Sequence, residues 1–266
     1  YDIDIRFNCD IADAASLLRK YDDVIIRNTI VKGAGRNGIT DNAYSSLIDG
    51  CTLVDNGTRT SPKMDYHIEP DGAYNFGEKL MRNCKVGKFK IHFNSNPFNL
   101  EKLSVNNCTI ESVVWANYST TQCTHNVVEF LNCDINSVQR TLDGSNVLTV
   151  LKNISFRNCR LKGLVLHGCS VYDNANCTRV VFDGCTFSNL FYLYANYKSV
   201  DIKNCKYIRT PFNASDRVAD SFIYWNYSTS ATIPRKIGTF NFDNNYIYGC
   251  NRVLEIQNAA NVDNSI

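Results

Sequence analysis

The stretch Val128-Glu129-Phe130-Leu131-Asn132-Cys133-Asp134-Ile135 recurs along this chain in near-copies. Its skeleton is an apolar residue, a spacer, an Asn or Gly, a Cys, a second spacer and another apolar residue. Other copies are centred on Cys9, Cys51, Cys84, Cys108, Cys159, Cys185 and Cys205. Degenerate copies carry Thr29 or Asn245 at the cysteine position. The chain is therefore built from repeats.

The spacing of the copies indicates a repeat architecture. The intervals between Cys84, Cys108, Cys133, Cys159, Cys185 and Cys205 are 24, 25, 26, 26 and 20 residues. A steady period of roughly 20–50 residues is typical of solenoids, propellers and arrays. Within a copy the apolar residues alternate with polar ones, which is the two-residue period of a half-buried strand. One repeat therefore contains two short strands joined by a tight corner.

The Asn or Gly before each cysteine fits that corner, because these residues tolerate a left-handed backbone best. Alternation then predicts that Cys133 and Ile135 point inward and Asp134 outward. A third strand fits later in each repeat, for example at 90–93 and 192–194. We predict an all-β fold, a right-handed parallel β-helix with three strands per coil and about ten to eleven coils that stack about 4.8 Å apart.

A leucine-rich repeat is the alternative fold, since it also combines Asn, Cys and Leu. We favour the β-helix because the Leu-x-x-Leu-x-Leu spacing is absent and no helical segment recurs.

The 12 cysteines suggest either disulfides or a ladder of buried thiols. Neighbouring cysteines in one slot of successive coils have parallel side chains, so a disulfide between them would be strained. We therefore predict a buried ladder of reduced cysteines that pack as small apolar residues. Zinc is disfavoured because no two cysteines are separated by only two residues. We predict no metal and no cofactor.

Composition predicts one domain, a single β-helix over residues 1–266. The chain is 44% hydrophobic, which suffices for one continuous core, and no composition shift marks a linker.

A net charge of +2 with both signs interspersed argues against nucleic acid as a partner. No apolar run is long enough for membrane insertion. Because the repeat pattern runs to both ends without polar caps, we expect the sequence to be a fragment of a longer chain.

Three segments interrupt the regular pattern. Residues 12–21 could form either a short helix or the connecting arm of the first coil. Two long excursions occupy 58–79 and 209–236. Long loops on a solenoid are often the functional ones.

Aligning the coils by their cysteines brings one strand of each into a common row. Its outward positions are predicted to be Thr40, Glu69, His92, Trp115, Asp143, Tyr192 and Tyr194. Such a strip suits a sugar, because aromatic rings cover its apolar faces while carboxylates and imidazoles bind its hydroxyls. We predict that His92, Trp115, Asp143, Tyr192 and Tyr194 bind substrate. The alternative is that these are ordinary exposed residues of a sheet face.

The densest cluster of titratable residues lies in and near the first excursion. The catalytic candidates there are Asp41, Asp65, His67, Glu69 and Asp71. Paired carboxyls suit a glycosidase, at about 5–5.5 Å for a retaining enzyme and about 6.5–9.5 Å for an inverting one. Residues one or two coils apart supply either separation, and Asp41 with Glu69 is the first pair to test.

A polysaccharide lyase would instead use a base such as Arg59, Lys63 or His67. A third interpretation is that the cluster only caps a turn and solvates a loop.

Three motifs resemble the pectate-lyase-like superfamily of right-handed β-helices: Asn-Gly-Ile-Thr at 37–40, Ile-Asp-Gly-Cys-Thr-Leu-Val-Asp-Asn-Gly at 48–57 and His-Ile-Glu-Pro-Asp-Gly at 67–72. This superfamily includes bacterial polysaccharide lyases and hydrolases and phage tailspike depolymerases. The likeness spans nearly the whole chain. His67 stands where relatives often have Asp, and the calcium-binding Asp cluster of pectate lyases is absent.

The resemblance implies a β-helix at the cell exterior or the virion surface that binds, and in some relatives degrades, a microbial polysaccharide or cell-surface glycan. A tailspike parent would imply a homotrimer. The contrasting hypothesis is a non-catalytic structural or receptor-binding section of a larger protein.

Overall fold

The computed structural model describes residues 3–5, 15–17, 23–41, 43–58, 63–68, 74–93, 98–117, 123–142, 149–167, 177–189, 191–194, 196–209, 221–226, 236–250 and 252–256. Its regular elements are all strands. No helix in these ranges is long and apolar enough to cross a membrane.

The strands follow one another in coils. They are β1 Ile3–Ile5, β2 Ala15–Leu17, β3 Asp23–Arg27, β4 Thr29–Lys32, β5 Asn37–Asp41, β6 Ser45–Asp49, β7 Thr52–Val54, β8 Met64–Ile68, β9 Tyr74–Arg82, β10 Lys85–Phe93, β11 Phe98–Asn106, β12 Thr109–Asn117, β13 Cys123–Leu131, β14 Asp134–Leu142, β15 Thr149–Arg157, β16 Arg160–Leu161, β17 Leu164–His167, β18 Arg179–Asp183, β19 Thr186–Phe187, β20 Phe191–Tyr194, β21 Tyr197–Lys203, β22 Lys206–Ile208, β23 Ser221–Asn226, β24 Ile237–Asp243, β25 Tyr246–Tyr248 and β26 Arg252–Ile256.

These strands form three faces, and every pairing between neighbouring coils is parallel. The first face is a nine-stranded sheet that runs from β3 through β6, β9, β11, β13, β15, β18 and β21 to β24. A 17-stranded sheet supplies the other two faces. Its second-face row contains β1, β4, β7, β16, β19, β22 and β25, and its third-face row contains β2, β5, β8, β17, β20, β23 and β26. The long strands β10, β12 and β14 bend and belong to both rows.

Each of these two rows therefore holds ten strands, one for each coil. The predicted parallel β-helix with three strands per coil is confirmed. Residues 12–21 include no described helix, because Ala15–Leu17 pairs as a strand with Ile39–Asp41.

The corner between the first and second faces has the predicted left-handed backbone. Seven asparagines there have φ between 48° and 56°, and Gly50 and Gly184 take the same position with φ of 65° and 66°. The asparagines are Asn28, Asn83, Asn107, Asn132, Asn158, Asn204 and Asn244. The corner prediction is therefore confirmed.

The same asparagines also stack into a side-chain ladder, which the sequence analysis did not predict. The amide of Asn107 donates to Asn83 Oδ1 at 3.4 Å, and that of Asn132 donates to Asn107 Oδ1 at 3.1 Å. Asn158 continues the series onto Asn132, and Asn244 donates to Asn204 at 2.8 Å. We call this series the asparagine ladder. It joins successive coils at the point where the chain turns.

The interior is apolar and stacked in register. The rings of Phe130, Phe156 and Phe182 lie parallel, with centroids 5.0 and 5.2 Å apart. Beside the corner lie the buried cysteines Cys51, Cys84, Cys108, Cys133, Cys159, Cys185 and Cys205. All cysteines whose side chains are described are free thiols. The predicted ladder of buried, reduced cysteines is confirmed.

The thiols are hydrogen-bonded within the stack. The Sγ atom of Cys133, for example, donates to the carbonyls of Val105 and Leu131, both at 3.3 Å. Hydrogen bonds that the Cys185 thiol donates to Cys159 and Cys205, together with burial, raise the pKa of Cys185. A thiol that stays protonated and buried is a poor nucleophile.

We expect Asn132→Ala to destabilise the fold more than Asn132→Gly. Alanine loses two ladder hydrogen bonds, one to Asn107 and one from Asn158, and it tolerates φ of 53° poorly, at a cost of about 1–2 kcal/mol. Glycine loses only the two side-chain bonds. Urea denaturation followed by circular dichroism measures both variants, and an alanine variant as stable as the wild type would contradict this assignment.

We expect the ladder thiols to resist labelling in the folded protein. A short pulse of N-ethylmaleimide followed by peptide mapping should leave the seven ladder cysteines unmodified, because the reagent cannot reach buried sulfur. These are Cys51, Cys84, Cys108, Cys133, Cys159, Cys185 and Cys205. Cys250, which is partly exposed, should react faster. The same pulse in denaturant should label every cysteine, and native labelling of the ladder at the Cys250 rate would refute its burial.

Candidate functional site

A shallow groove follows the outer bend between the second and third faces. In coils 4 to 6 the bend falls at Gly87, Glu111 and Asn136, which are left out of the paired registers on either side. A first depression of about 390 Å³ there is lined by Asp55, Lys85, Gly87, Thr109, Glu111 and Asn136, among others. Its walls carry hydroxyl, amide and charged groups of both signs.

A second depression continues the same bend into coils 7 and 8. It has a volume of about 200 Å³, and its lining includes Ser137, Gln139, Gly163, Val165, Asn189 and Tyr192. Since Asn136 lines the first depression and Ser137 the second, the two adjoin. We call them together the corner groove.

Aromatic rings close the far end of the corner groove. The ring of Tyr192 stacks on that of Tyr194, with centroids 6.1 Å apart, and meets Tyr224 edge-on at 5.3 Å. Tyr192 pairs with Tyr224 in the adjacent coil. Tyr192 and Tyr194 are partly exposed, whereas Tyr224 is buried. The structure thus brings together the two tyrosines that the sequence analysis assigned to substrate binding.

The predicted alignment of the outward row is wrong by one residue between coils 4 and 5 of the β-helix. Trp115 pairs with Ile91, and His92 pairs with Ala116, so Trp115 and His92 are not in one row. A slip of one residue moves a side chain to the opposite face of a strand. The observed third-face row instead contains Thr40, His67, Lys90, Val114, Gln139, Val165, Tyr192 and Tyr224.

Asp65, a catalytic candidate, is buried and hydrogen-bonded to backbone. Its Oδ1 accepts from the backbone N–H and the side-chain amide of Asn56, both at 2.9 Å. Its Oδ2 accepts from the N–H of Lys88 at 2.6 Å. Burial raises the pKa of Asp65 against the lowering effect of these donors. The carboxyl therefore links the bend of its own coil, through Asn56, to the bend of the next coil, through Lys88.

Gly87 is required by this contact. A Cβ atom at Gly87 would overlap the carboxylate of Asp65. The smallest residue thus lets the carboxylate reach the strand at the floor of the corner groove.

Asp41, the first carboxyl proposed for catalysis, is enclosed completely. Its Oδ1 accepts from Lys79 Nζ at 2.8 Å and from the N–H of Ala43 at 3.1 Å. Its Oδ2 accepts from Ser46 Oγ at 2.6 Å and from the hydroxyl of Tyr66. With an exposure of 0%, Asp41 cannot contact a polymer that binds on the surface.

His67 is also fully buried. Its Nδ1 lies 3.3 Å from Nδ2 of Asn37, which also donates to Thr40 Oγ1 at 3.0 Å. This arrangement links neighbouring coils on the third face.

Lys63 is described and exposed, with φ of 59°. The other remaining candidates fall outside the described part of the chain, wholly or in their side chains. Glu69, Asp71 and Asp143 lie outside the described residues, as do Arg59 and the pairing of Asp41 with Glu69. The strand positions of His92 and Trp115 are described but their side chains are not. Within the described residues, no three His, Cys, Asp or Glu side chains come together as a metal site.

Sequence reasoning missed several residues of the corner groove, including Glu111, Gln139 and Asn189. They carry no motif. The available signal was their distance from the cysteine of each copy, since Glu111 and Asn136 both follow their cysteine by three residues.

Comparisons with protein-family models, with curated proteins and with solved structures gave no match.

We expect the stability difference between the wild type and Asp65→Asn to fall as pH rises. Because the folded pKa of Asp65 is raised, the folded state holds its proton more tightly than the unfolded state. The stability contributed by that proton is present below the ordinary value of 3.8 and is lost as pH passes through the folded pKa. Urea denaturation at a series of pH values measures the difference.

Asp183→Asn is the matched control with the opposite sign. The amide of Asn204 and the ammonium of Lys203 hold the pKa of Asp183 below its ordinary value. Its contribution is therefore present above pH 3.8 and disappears as pH falls through the folded pKa. Two profiles of the same sign would contradict the burial effect at Asp65.

Proposed function

We propose that this β-helix binds a polysaccharide lengthwise along the corner groove, on the outside of a cell or a virus particle. The observation that supports the proposal is the bend from Asp55 to Tyr192, which carries polar groups in successive coils and ends on the partly exposed ring of Tyr192. Coils repeat about every 4.8 Å, which is close to the length of one sugar ring. A linear glycan can therefore meet a similar set of groups at each coil.

The groups of the corner groove suit sugar hydroxyls. Thr109 and Ser137 offer hydroxyls, and Asn136 and Gln139 offer amides that both donate and accept. The ring of Tyr192 offers a flat apolar face for the C–H side of a pyranose. Lys85 and Glu111 add charges of opposite sign, so the groove favours a neutral or mixed-charge glycan over a strongly anionic one.

Binding is better supported than cleavage. Asp41 and Asp65 are buried and engaged with neighbouring groups, and His67 is buried as well. Hydrolysis therefore depends on Glu69 and Asp71, and elimination on Arg59 or Lys63, and all four stay predictions. Glycoside hydrolysis and elimination remain outcomes that the binding experiment below can reveal.

We expect Tyr192→Ala to weaken glycan binding about two- to tenfold, since an aromatic contact contributes about 0.5–1.5 kcal/mol. A panel of capsular and plant-type polysaccharides is screened first, and the best ligand is then titrated by calorimetry. Tyr248→Ala is the control, because Tyr248 is 62% exposed on β25 and does not line the groove. New reducing ends or absorbance from an unsaturated uronate in the same mixtures would reveal hydrolysis or elimination.

Two results would overturn the proposal. One is the absence of binding to any glycan by folded protein, which would favour the structural or receptor-binding alternative. The other is an equal loss of affinity in the Tyr192 and Tyr248 variants, because binding would then not depend on the corner groove.

A further inference from the structure

The interior of the β-helix contains a charged contact that glycan binding does not use. Lys79 of β9 and Asp41 of β5 form an ion pair of 2.8 Å, with side-chain exposures of 1% and 0%. In the following coils the positions paired in series with Lys79 are Leu103, Val128 and Ile154, all buried. An amine and a carboxyl thus replace apolar core residues in the first coils.

Such a pair is costly to keep charged. Removing both ions from water costs several kcal/mol each, and their attraction repays this only in favourable geometry. The ring of Phe76 lies 5.0 Å from Lys79 Nζ, and this cation–π contact offsets only part of the cost on the side of the amine. Any reaction that converts the two ions into a neutral group would remove this cost.

The contacts around the carboxyl distinguish its two oxygens. Oδ1 faces the amine of Lys79, which is also held by a hydrogen bond to the carbonyl of Ala43 at 2.8 Å. The N–H of Ala43 also donates to Oδ1. Oδ2 receives two hydroxyl donors, from Ser46 and Tyr66. Burial holds the pKa of Tyr66 well above its ordinary value, so its hydroxyl remains a donor.

We propose that Lys79 and Asp41 condense to form an intramolecular isopeptide bond. A proton passes from the ammonium to the carboxylate, and the neutral amine attacks Cγ of Asp41 to form the C–N bond. The negative charge that develops on Oδ2 is stabilised by the hydroxyls of Ser46 and Tyr66. The C–Oδ1 bond then breaks, and Oδ1 leaves as water with the two protons lost from Nζ.

The reaction is balanced without any other reactant. One ammonium and one carboxylate become one neutral amide and one water. Holding the two groups in contact replaces a bimolecular encounter, for which effective molarities of about 10⁵–10⁸ M are known. The product would tie β5 on the third face to β9 on the first face across the interior.

The test is the intact mass of the whole, purified chain in denaturing solvent. We expect it to be lower than the sequence mass by one water molecule. Tryptic digestion should give a branched peptide that contains both Asp41 and Lys79, with no cleavage after Lys79. Lys102 is the internal control, because it lies 3.1 Å from Glu129 in an exposed pair and should give only unlinked peptides.

A folded wild-type chain with the full sequence mass, unchanged after prolonged incubation, would overturn the proposal. The mass measurement uses the wild type, so it does not depend on whether a substituted protein folds.

Tyr66→Phe keeps the ring but removes one hydrogen-bond donor to Oδ2 of Asp41. We expect it to slow cross-linking roughly 100-fold, as does the loss of one oxyanion donor in an enzyme. An unchanged rate would overturn the role assigned to Tyr66.

Discussion

The parallel pairing of one coil on the next is the constraint on which the structure depends. Every coil must leave the first face and enter the second at the same place, or its strands would lose register with both neighbours. The left-handed asparagine or glycine provides that turn, with φ close to +50° in each asparagine copy. The amide side chains then bond to one another along the axis, so the residue that makes the turn also fixes its height.

The same register explains the interior. A residue at a given step of one coil lies directly over its counterpart, so like packs on like: Phe130 on Phe156, and one cysteine beside the next. Where the slot changes, the substitute reproduces the hydrogen bonding. Asn245, at a cysteine position, donates to the carbonyl of Ile202 at 2.9 Å and accepts from the N–H of Cys205 at 2.8 Å. Asn245 thus enters the stack with a partner for its amide donor and a partner for its carbonyl acceptor.

The fold could be predicted from the sequence because every copy of the repeat carries the same pattern. The period, the alternation and the corner residue each recur, and a single irregular copy cannot mislead. The site was harder to predict because it depends on contacts that occur once. Nothing local distinguishes Asp41, whose partner Lys79 is 38 residues away, from an exposed carboxylate. The one-residue error between His92 and Trp115 has a similar origin, since it depends on the length of each coil between its corners.

The two glycines among the corner residues have a consequence for the modular character of the molecule. At Gly184 a Cβ atom would lie 2.5 Å from Asn158 Oδ1, and at Gly50 it would lie 2.6 Å from Asn28 Oδ1. The carbonyl oxygen of the preceding asparagine therefore fills the space that a side chain would need. Duplicating a coil from the Asn83 to Asn158 series preserves the match between neighbours. A coil transplanted across either glycine brings a mismatched corner with it, so the repeats are interchangeable only within blocks.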